Sequence, residues 1–467
     1  MAEVQTIKEA NPLGYENIGK LLFKFAIPSI IAMLINAVYN IVDQIFIQQQ
    51  IGSNGNAATT VAFPVVTFTL AIALLIGVGG ASLASVRLGE KKEKEAEKIL
   101  GNAFVLCVVF SIAFSIICMI FLEPILKFLG ASDVAVLEYS KTYVSIILMG
   151  TLFMSLGSGL SAFVRVDGAP KVSMISMVSG CVLNIILDYT FMCGLEKFGL
   201  KNMGIEGAAY GTIISQFLTA VIVICYLLFK GNIRLKPENL IPDTKLCMAF
   251  CALGVSSFIT QFANALMQIC MNNLLNHYAT AELSGGQALS AMGIVLKTNM
   301  ILFGTCIGIA QGAQPIIGYN HGAKKYKRVR SAYIKSVVAA TTVSTLGWIV
   351  IQLFPDVLLS IYGDNDPVMK AFAIKAMRIF LGGFCVAGFN VVSSHYFQSV
   401  EKAKQAFIMS MGRQILALIP FMFILPLFMG IDGILWAGVV ADVIALAYGS
   451  VLVGIDMKKL NKLCKTE

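Results

Sequence analysis

The chain has 467 residues, 57% of them hydrophobic and 13% charged, with a mean hydropathy of +0.80; a soluble globular chain carries about 25% charged residues. That balance excludes a water-soluble globular fold. The formal net charge is +9 and there are three His and 11 Cys, the cysteines mostly standing singly in apolar stretches (Cys107, Cys118, Cys181, Cys225) without zinc-ligand spacing, so neither metal nor disulfide chemistry is expected.

Residues 1–17 are polar and lack the short apolar core of a cleavable leader, so the first apolar stretch itself would direct insertion. Stretches of roughly 20 residues or more, long enough to cross a hydrocarbon core of about 30 Å, are predicted near 20–49, 57–87, 99–122, 139–164, 172–195 and 206–229. A polar linker, 230–246, follows with Pro237 and Pro242 and marks a domain boundary. Six further spans are predicted near 247–277, 286–319, 332–354, 370–398, 406–428 and 434–456, then a tail, 457–467. The expected fold class is an all-α polytopic membrane protein: twelve transmembrane helices in an N-terminal lobe (1–229) and a C-terminal lobe (247–456).

The two lobes are copies. With a shift of 233, Gly89-Glu90-Lys91-Lys92-Glu93-Lys94 falls on Gly322-Ala323-Lys324-Lys325-Tyr326-Lys327, and Gly130, Asp133, Gly150, Ser161 and Lys171 fall on Gly363, Asp366, Gly383, Ser394 and Lys404. The shift is 228 at the front (Asn36-Ala37 on Asn264-Ala265) and 226 at the back (Met203-Gly204-Ile205-Glu206-Gly207 on Met429-Gly430-Ile431-Asp432-Gly433). Six spans per copy is an even number, so both copies have the same orientation. A parallel repeat of this size points to a two-lobed transporter working by alternating access.

Lys and Arg set the expected orientation. The side holding both termini carries 26 of them, the opposite side 6, and Lys297, Arg378 and Arg413 lie within spans. Such an asymmetry across short loops puts both termini in the cytoplasm. The positive charge thus reads as topology, the lysine runs at 91–98 and 324–330 as loops at an anionic lipid surface, and nucleic acid is not an expected partner.

Polar groups inside a bilayer are costly and mark function. The first span carries Asn36, Asn40 and Asp43 at i, i+4 and i+7 with Tyr39 beside them, one polar face on an otherwise apolar helix. The fifth offers Asn184 and Asp188 one turn apart. Two carboxylates and their amides in a low-dielectric bundle would either share a proton or coordinate a desolvated cation such as Na⁺; hydrogen bonding to neighbouring helices is the simpler alternative. The second lobe lacks this chemistry, since Met271 and Phe421 stand at the repeat positions. Its candidates for cavity lining, together with Asn36, are Gln261, Asn264, Gln268 and Asn272 on one stripe of the seventh span, and Lys297 and Asp442. The last two either pair or are unrelated buried groups, while Arg378 and Arg413 read as snorkelling side chains near span ends. Pro28 favours a kink in the first span, as do Pro64, Pro420 and Pro426 in theirs. The 21 Met and 30 Phe would suit an adaptable cavity for apolar compounds as well as ordinary packing.

The six-plus-six parallel repeat, Pro28 followed by Asn36 and Asp43, the Asn184/Asp188 pair, the stretch from Gln311 to Asn320 (QGAQPIIGYN) entering a basic loop, and the Gly-Ile-Glu-Gly and Gly-Ile-Asp-Gly turns together resemble the multidrug and toxic compound extrusion (MATE) family, over nearly the whole chain. The lack of carboxylates in the seventh and tenth spans looks like its prokaryotic DinF-like branch. The resemblance implies secondary active efflux of cationic or amphipathic drugs in exchange for H⁺ or Na⁺, without another cofactor, by a monomer in the plasma membrane. It also implies that Asp43, Asn184 and Asp188 form the cation site with Tyr39 and Tyr143 beside it, that Thr212 is a counterpart in the sixth span, and that Pro28 is a hinge. Two other readings compete: a lipid-linked precursor flippase of the same superfamily, whose members have about fourteen spans, and a membrane-embedded enzyme, for which His277, His321 and His395 are too scattered.

Overall fold

The computed structural model describes residues 11–131, 133–194, 202–280, 283–360 and 367–466; the repeat partners Gly363 and Asp366 lie outside them. The first lobe consists of α1 (Ile18–Gln50), α2 (Ser53–Gly89), α3 (Glu93–Ile120), the short α4 (Leu122–Phe128), α5 (Val134–Val166), α6 (Pro170–Cys193) and α7 (Gly204–Cys225). The second consists of α8 (Thr244–His277), α9 (Gly285–Gly322), α10 (Tyr326–Leu353), the short α11 (Pro355–Ser360), α12 (Pro367–Phe380), α13 (Ala387–Ser399), α14 (Ala403–Met411), α15 (Ile419–Ile424), α16 (Pro426–Met429) and α17 (Ile431–Thr466).

Eleven helical segments are long and apolar enough to cross a membrane, and a bent pair, Pro367–Phe380 with Phe384–Ser399, makes a twelfth. That tenth span breaks by 43° where Gly382 and Gly383 weaken helix propagation. In the eleventh, Gly412–Leu418 winds as a π-helix, because Pro420 has no N–H for the carbonyl four residues earlier. Pro28, Pro64 and Pro315, by contrast, lie inside helices that continue past them.

The duplication is visible in the backbone. Left-handed residues occur in register: Lys91 with Lys324, Gly168 with Glu401, and Gly204 with Gly430. Each pair closes the equivalent turn in its own lobe. One face of the molecule, here the basic face, carries the Lys/Arg-rich turns, the N-terminal turn Pro12–Gly14 and the end of α17; the other is the far face.

The apolar cores do not follow the lobes strictly. Leu21, Leu22, Phe25 and Ala26 of α1 belong to the same buried cluster as Ile316, Ile317 and Val329 of the second lobe, whereas Ile47 of the same helix packs with Val144, Ile147 and Ala208 of the first. Conversely, Cys247, Phe250 and Leu253 of α8 join the first-lobe core around Leu100 and Phe163, while Met271 and Leu275 join the second. Each lobe's leading helix therefore lends its basic-face half to the other lobe.

These crossings need backbone contact. A Cβ on Gly79 would stand 2.1 Å from the Phe250 carbonyl oxygen and one on Gly254 1.8 Å from that of Leu75, which locks α2 to α8. Between α1 and α9 a Cβ on Gly312 would lie 2.6 Å from Ala26 Cα, on Gly308 2.7 Å from Ile30 Cα, and on Gly304 3.5 Å from Met33 Cβ. The seam is thus tight on the basic-face side and loosens toward the far face, as small residues spaced by four permit. Beside it runs a buried polar chain: Gln314 Nε2 donates to Ser82 Oγ at 2.6 Å and to Gln398 Oε1 at 3.4 Å, and Gln398 Nε2 donates to Ser256 Oγ at 2.6 Å.

The linker is fixed to the first lobe. Asn102 Nδ2 donates to the Asn239 and Ile241 carbonyls, Lys236 pairs with Glu97 at 2.7 Å, and Lys98 pairs with Asp243 at 2.8 Å. The Lys98 ammonium, together with the backbone N–H of Leu246, holds the Asp243 carboxyl below the usual carboxylate range.

Candidate functional site

The far-face half of α1 packs on α6, so the polar stripe of α1 faces the one on α6. Asp43 and Asp188 bring their carboxyl groups into side-chain contact. Asn184, one turn before Asp188, donates from Nδ2 to Asp188 Oδ1 at 3.2 Å and to Thr212 Oγ1 on α7 at 3.5 Å. Thr212 also meets the Tyr143 side chain of α5, and Tyr39 and Tyr143 both lie within electrostatic reach of the two carboxyls. Four helices of the first lobe thus converge on one carboxyl pair. Asp188 is fully buried at 0% exposure and Asn184 at 2%.

This cluster is short of donors. Asp43 Oδ1, Asp188 Oδ2 and Asn184 Oδ1 are buried and accept no hydrogen bond from any side chain or backbone group. Buried oxygens without donors carry a desolvation penalty of about 1–3 kcal/mol each, more when charged, and two touching carboxyls in low dielectric repel one another. A proton or a small monovalent cation would satisfy both demands. Among the described residues no group of three or more His, Cys, Asp or Glu is arranged to hold a metal ion, so any cation here would rest on the two carboxylates and neutral oxygens.

Asn40 turns back on its own helix, donating to the Asn36 carbonyl at 2.6 Å, and Asn36 meets Cys181 of α6. Pro28 is buried about four turns away, where α1 lies against α9. One residue with a part in the site has no signal of its own in the sequence: Gly211 of α7, against the Asp188 carboxyl.

In the second lobe Asn264 accepts from Gln414 Nε2 at 2.6 Å and meets Gln261 at 3.5 Å, while Gln268 and Asn272 sit half-buried farther along α8. Asp442 does not pair with Lys297. It accepts from Arg413 Nε at 2.7 Å, and Arg413, lifted out of register by the π-helical turn, is partly buried instead of snorkelling at a span end. Arg378 is exposed, and Lys297 lines a separate groove between α1, α9 and α10. Between the lobes, the rings of Phe114, Phe68, Phe258 and Phe262 form a row with successive centroids 5.2, 5.6 and 6.3 Å apart, an apolar wall crossing from α3 and α2 to α8.

Comparison with known proteins agrees with this architecture. The MatE family model matches residues 28–190 and 256–424, one segment in each lobe. The multidrug export protein MepA of Staphylococcus haemolyticus is 24% identical over 436 residues, covering 92% of this chain and 91% of that protein, and MepA of Staphylococcus aureus (strain NCTC 8325) is 25% identical over 435 residues, covering 91% and 90%. Among solved structures, the MATE multidrug transporter DinF-BH is 32% identical with a TM-score of 0.87, covering 97% of this chain and 98% of that one. An outward-facing multidrug resistance MATE family transporter of the MOP superfamily shares the fold at a TM-score of 0.88 and 21% identity, covering 98% and 100%. With both lobes matched, a multi-pass helical architecture and a membrane-embedded carboxyl pair, the chain belongs to the MatE family of membrane transporters and is not an enzyme.

Proposed function

We propose that the protein exports cationic or amphipathic organic compounds from the cytoplasm by antiport against H⁺ or Na⁺, with Asp43 and Asp188 as the coupling groups. The observation that carries this reading is the trio of buried, donorless oxygens on Asp43, Asp188 and Asn184, which lack only a proton or cation. The multidrug export relatives and the multidrug transporter DinF-BH support a drug-like cargo. The basic face is assigned to the cytoplasm by the distribution of Lys and Arg, in the plasma membrane, and the cycle needs only one protomer.

Coupling follows from the position of α1. Its far-face half carries Asp43 against the first lobe, and its basic-face half is part of the second lobe's core. A cation at Asp43 and Asp188 relieves the repulsion between the two carboxylates where α1 packs on α6, and any adjustment of α1 is transmitted along the helix to its seam with α9, where Pro28 lies. Cation and cargo then need only favour opposite states of the seam, since a ligand with equal affinity for both shifts nothing.

The test is reconstituted ethidium efflux under an imposed pH gradient and, separately, an imposed Na⁺ gradient. Wild-type protein should respond to one of them, and Asp43→Asn and Asp188→Asn should fold yet lose that response. Efflux by Asp43→Asn at the wild-type rate would remove the pair from the mechanism, and efflux indifferent to both gradients would remove antiport.

A further inference from the structure

The loosening of the α1–α9 seam toward the far face ends in a lateral groove of ≈ 500 Å³ walled by Ile41 and Ile45 of α1, Lys297 and Ile301 of α9, and Gly347 and Val350 of α10. That size falls within the roughly 300–1,000 Å³ of sites that hold drug-sized molecules. Its wall is apolar except for Lys297 and Thr298, and the Thr298 hydroxyl is occupied, donating to the Ile294 carbonyl at 3.0 Å. Ile45 and Val350 on the rim are exposed at 47% and 44%, so the groove opens sideways through apolar side chains, the direction of hydrocarbon rather than water.

Lys297 is the one charge in this groove. It is half-buried, and among the described residues no carboxylate lies within 4.0 Å of its ammonium. Its level is set by the helix. Twenty-five residues separate it from Gly322 at the basic face, about 37 Å along α9 at roughly 1.5 Å per residue, against a hydrocarbon core of about 30 Å. Lys297 therefore lies in the far-leaflet half of α9, level with Ile41 and Ile45 of α1, and its long stem carries the ammonium toward the far head groups, with the apolar groove at its side. A cationic cargo would be repelled there. A molecule with an acyl chain and an anionic head would satisfy both parts.

We infer that this groove is a binding site for an anionic phospholipid of the far leaflet, its phosphate on Lys297 and an acyl chain lying between α1 and α10. A lipid so placed wedges the two lobes apart on the far side of the seam, and this inference stands independently of which ion drives transport.

Trp348 adjoins Gly347 of the groove wall, and Trp436 is the only other tryptophan in the chain. The full-length Trp436→Phe protein in lipid vesicles thus reports on the groove through Trp348 fluorescence. Brominated phosphatidylglycerol should quench it with an apparent affinity about fivefold above that of brominated phosphatidylcholine, the effect of one basic residue at an anionic surface. Lys297→Gln should abolish the preference and Lys297→Arg retain it. Equal quenching by the two lipids overturns the inference without recourse to any Lys297 variant, as does a preference that survives Lys297→Gln. If dodecyl phosphate alone changes the Trp348 signal while phosphatidylglycerol shows no preference, the groove takes soluble anionic amphiphiles and the lipid assignment is wrong.

Discussion

Gly211 packs against the carboxyl group of Asp188 so closely that a Cβ at position 211 would stand 2.5 Å from Asp188 Oδ1. A methyl group there must drive the carboxyl away from Asn184, which donates to the same oxygen. Gly211→Ala is expected to fold, at an overpacking cost of about 1–3 kcal/mol. Its gradient-driven efflux should fall by about tenfold or more, within the usual span of coupling energies. Initial rates of efflux alongside thermal midpoints separate the two effects, and a rate equal to wild type would show that the carboxyl tolerates displacement.

Gln314 ties the lobes together through Ser82 and Gln398. Gln314→Leu leaves both partners short of a hydrogen bond only while the basic face stays closed, an effect of about 1–3 kcal/mol on that state. Spin labels at the exposed positions Lys94 and Lys404 should report longer distances across the basic face in this variant than in wild type. Identical distance distributions would mean that the glycine seam alone holds the face shut.

The Arg413–Asp442 pair lies at membrane depth with Asp442 at 3% exposure. Asp442→Asn leaves a partly buried guanidinium uncompensated and should lower stability by about 3–5 kcal/mol, whereas the double change Arg413→Met with Asp442→Leu should recover most of that loss. Thermal midpoints of the three proteins in detergent decide it. A double variant no more stable than the single would indicate that the pair shapes the bend at Gly383.

At the far face Lys127 and Lys141 hold the Glu123 carboxyl down to about 2, from an ordinary 4.5. A carboxyl lowered on folding adds stability that is present above pH 4.5 and is lost as pH falls from there toward 2. Glu123→Gln should therefore be less stable than wild type near about pH 6, with the gap narrowing below about pH 4 and closing only near about pH 2. A difference that does not change with pH would exclude this ion pair as its source.

The features most legible in the sequence were those whose physical demand is local. Lys91 and Lys324 stand at the same left-handed turn because each copy must reverse direction there, and Asp43 and Asp188 stood out because a carboxylate in a bilayer needs a reason. What was not legible depended on rotation and on which helices meet. Arg413 meets Asp442 from within a π-helical turn, and the groove that holds Lys297 exists only where α1 and α10 come together beside α9. The division of α1 between lobes was hidden as well, since nothing in residues 21–26 (LLFKFA) marks the lobe whose core they join. Gly308 and Gly312 on the facing helix decide which lobe each half joins.

The contacts of Gly79 with Phe250 and of Gly254 with Leu75 place main chain against main chain. A barrier built this way has no rotamers to fluctuate and no side-chain shape to match. While the basic face is closed, this floor therefore seals in the same way whatever the shape of the molecule lying between the lobes above it.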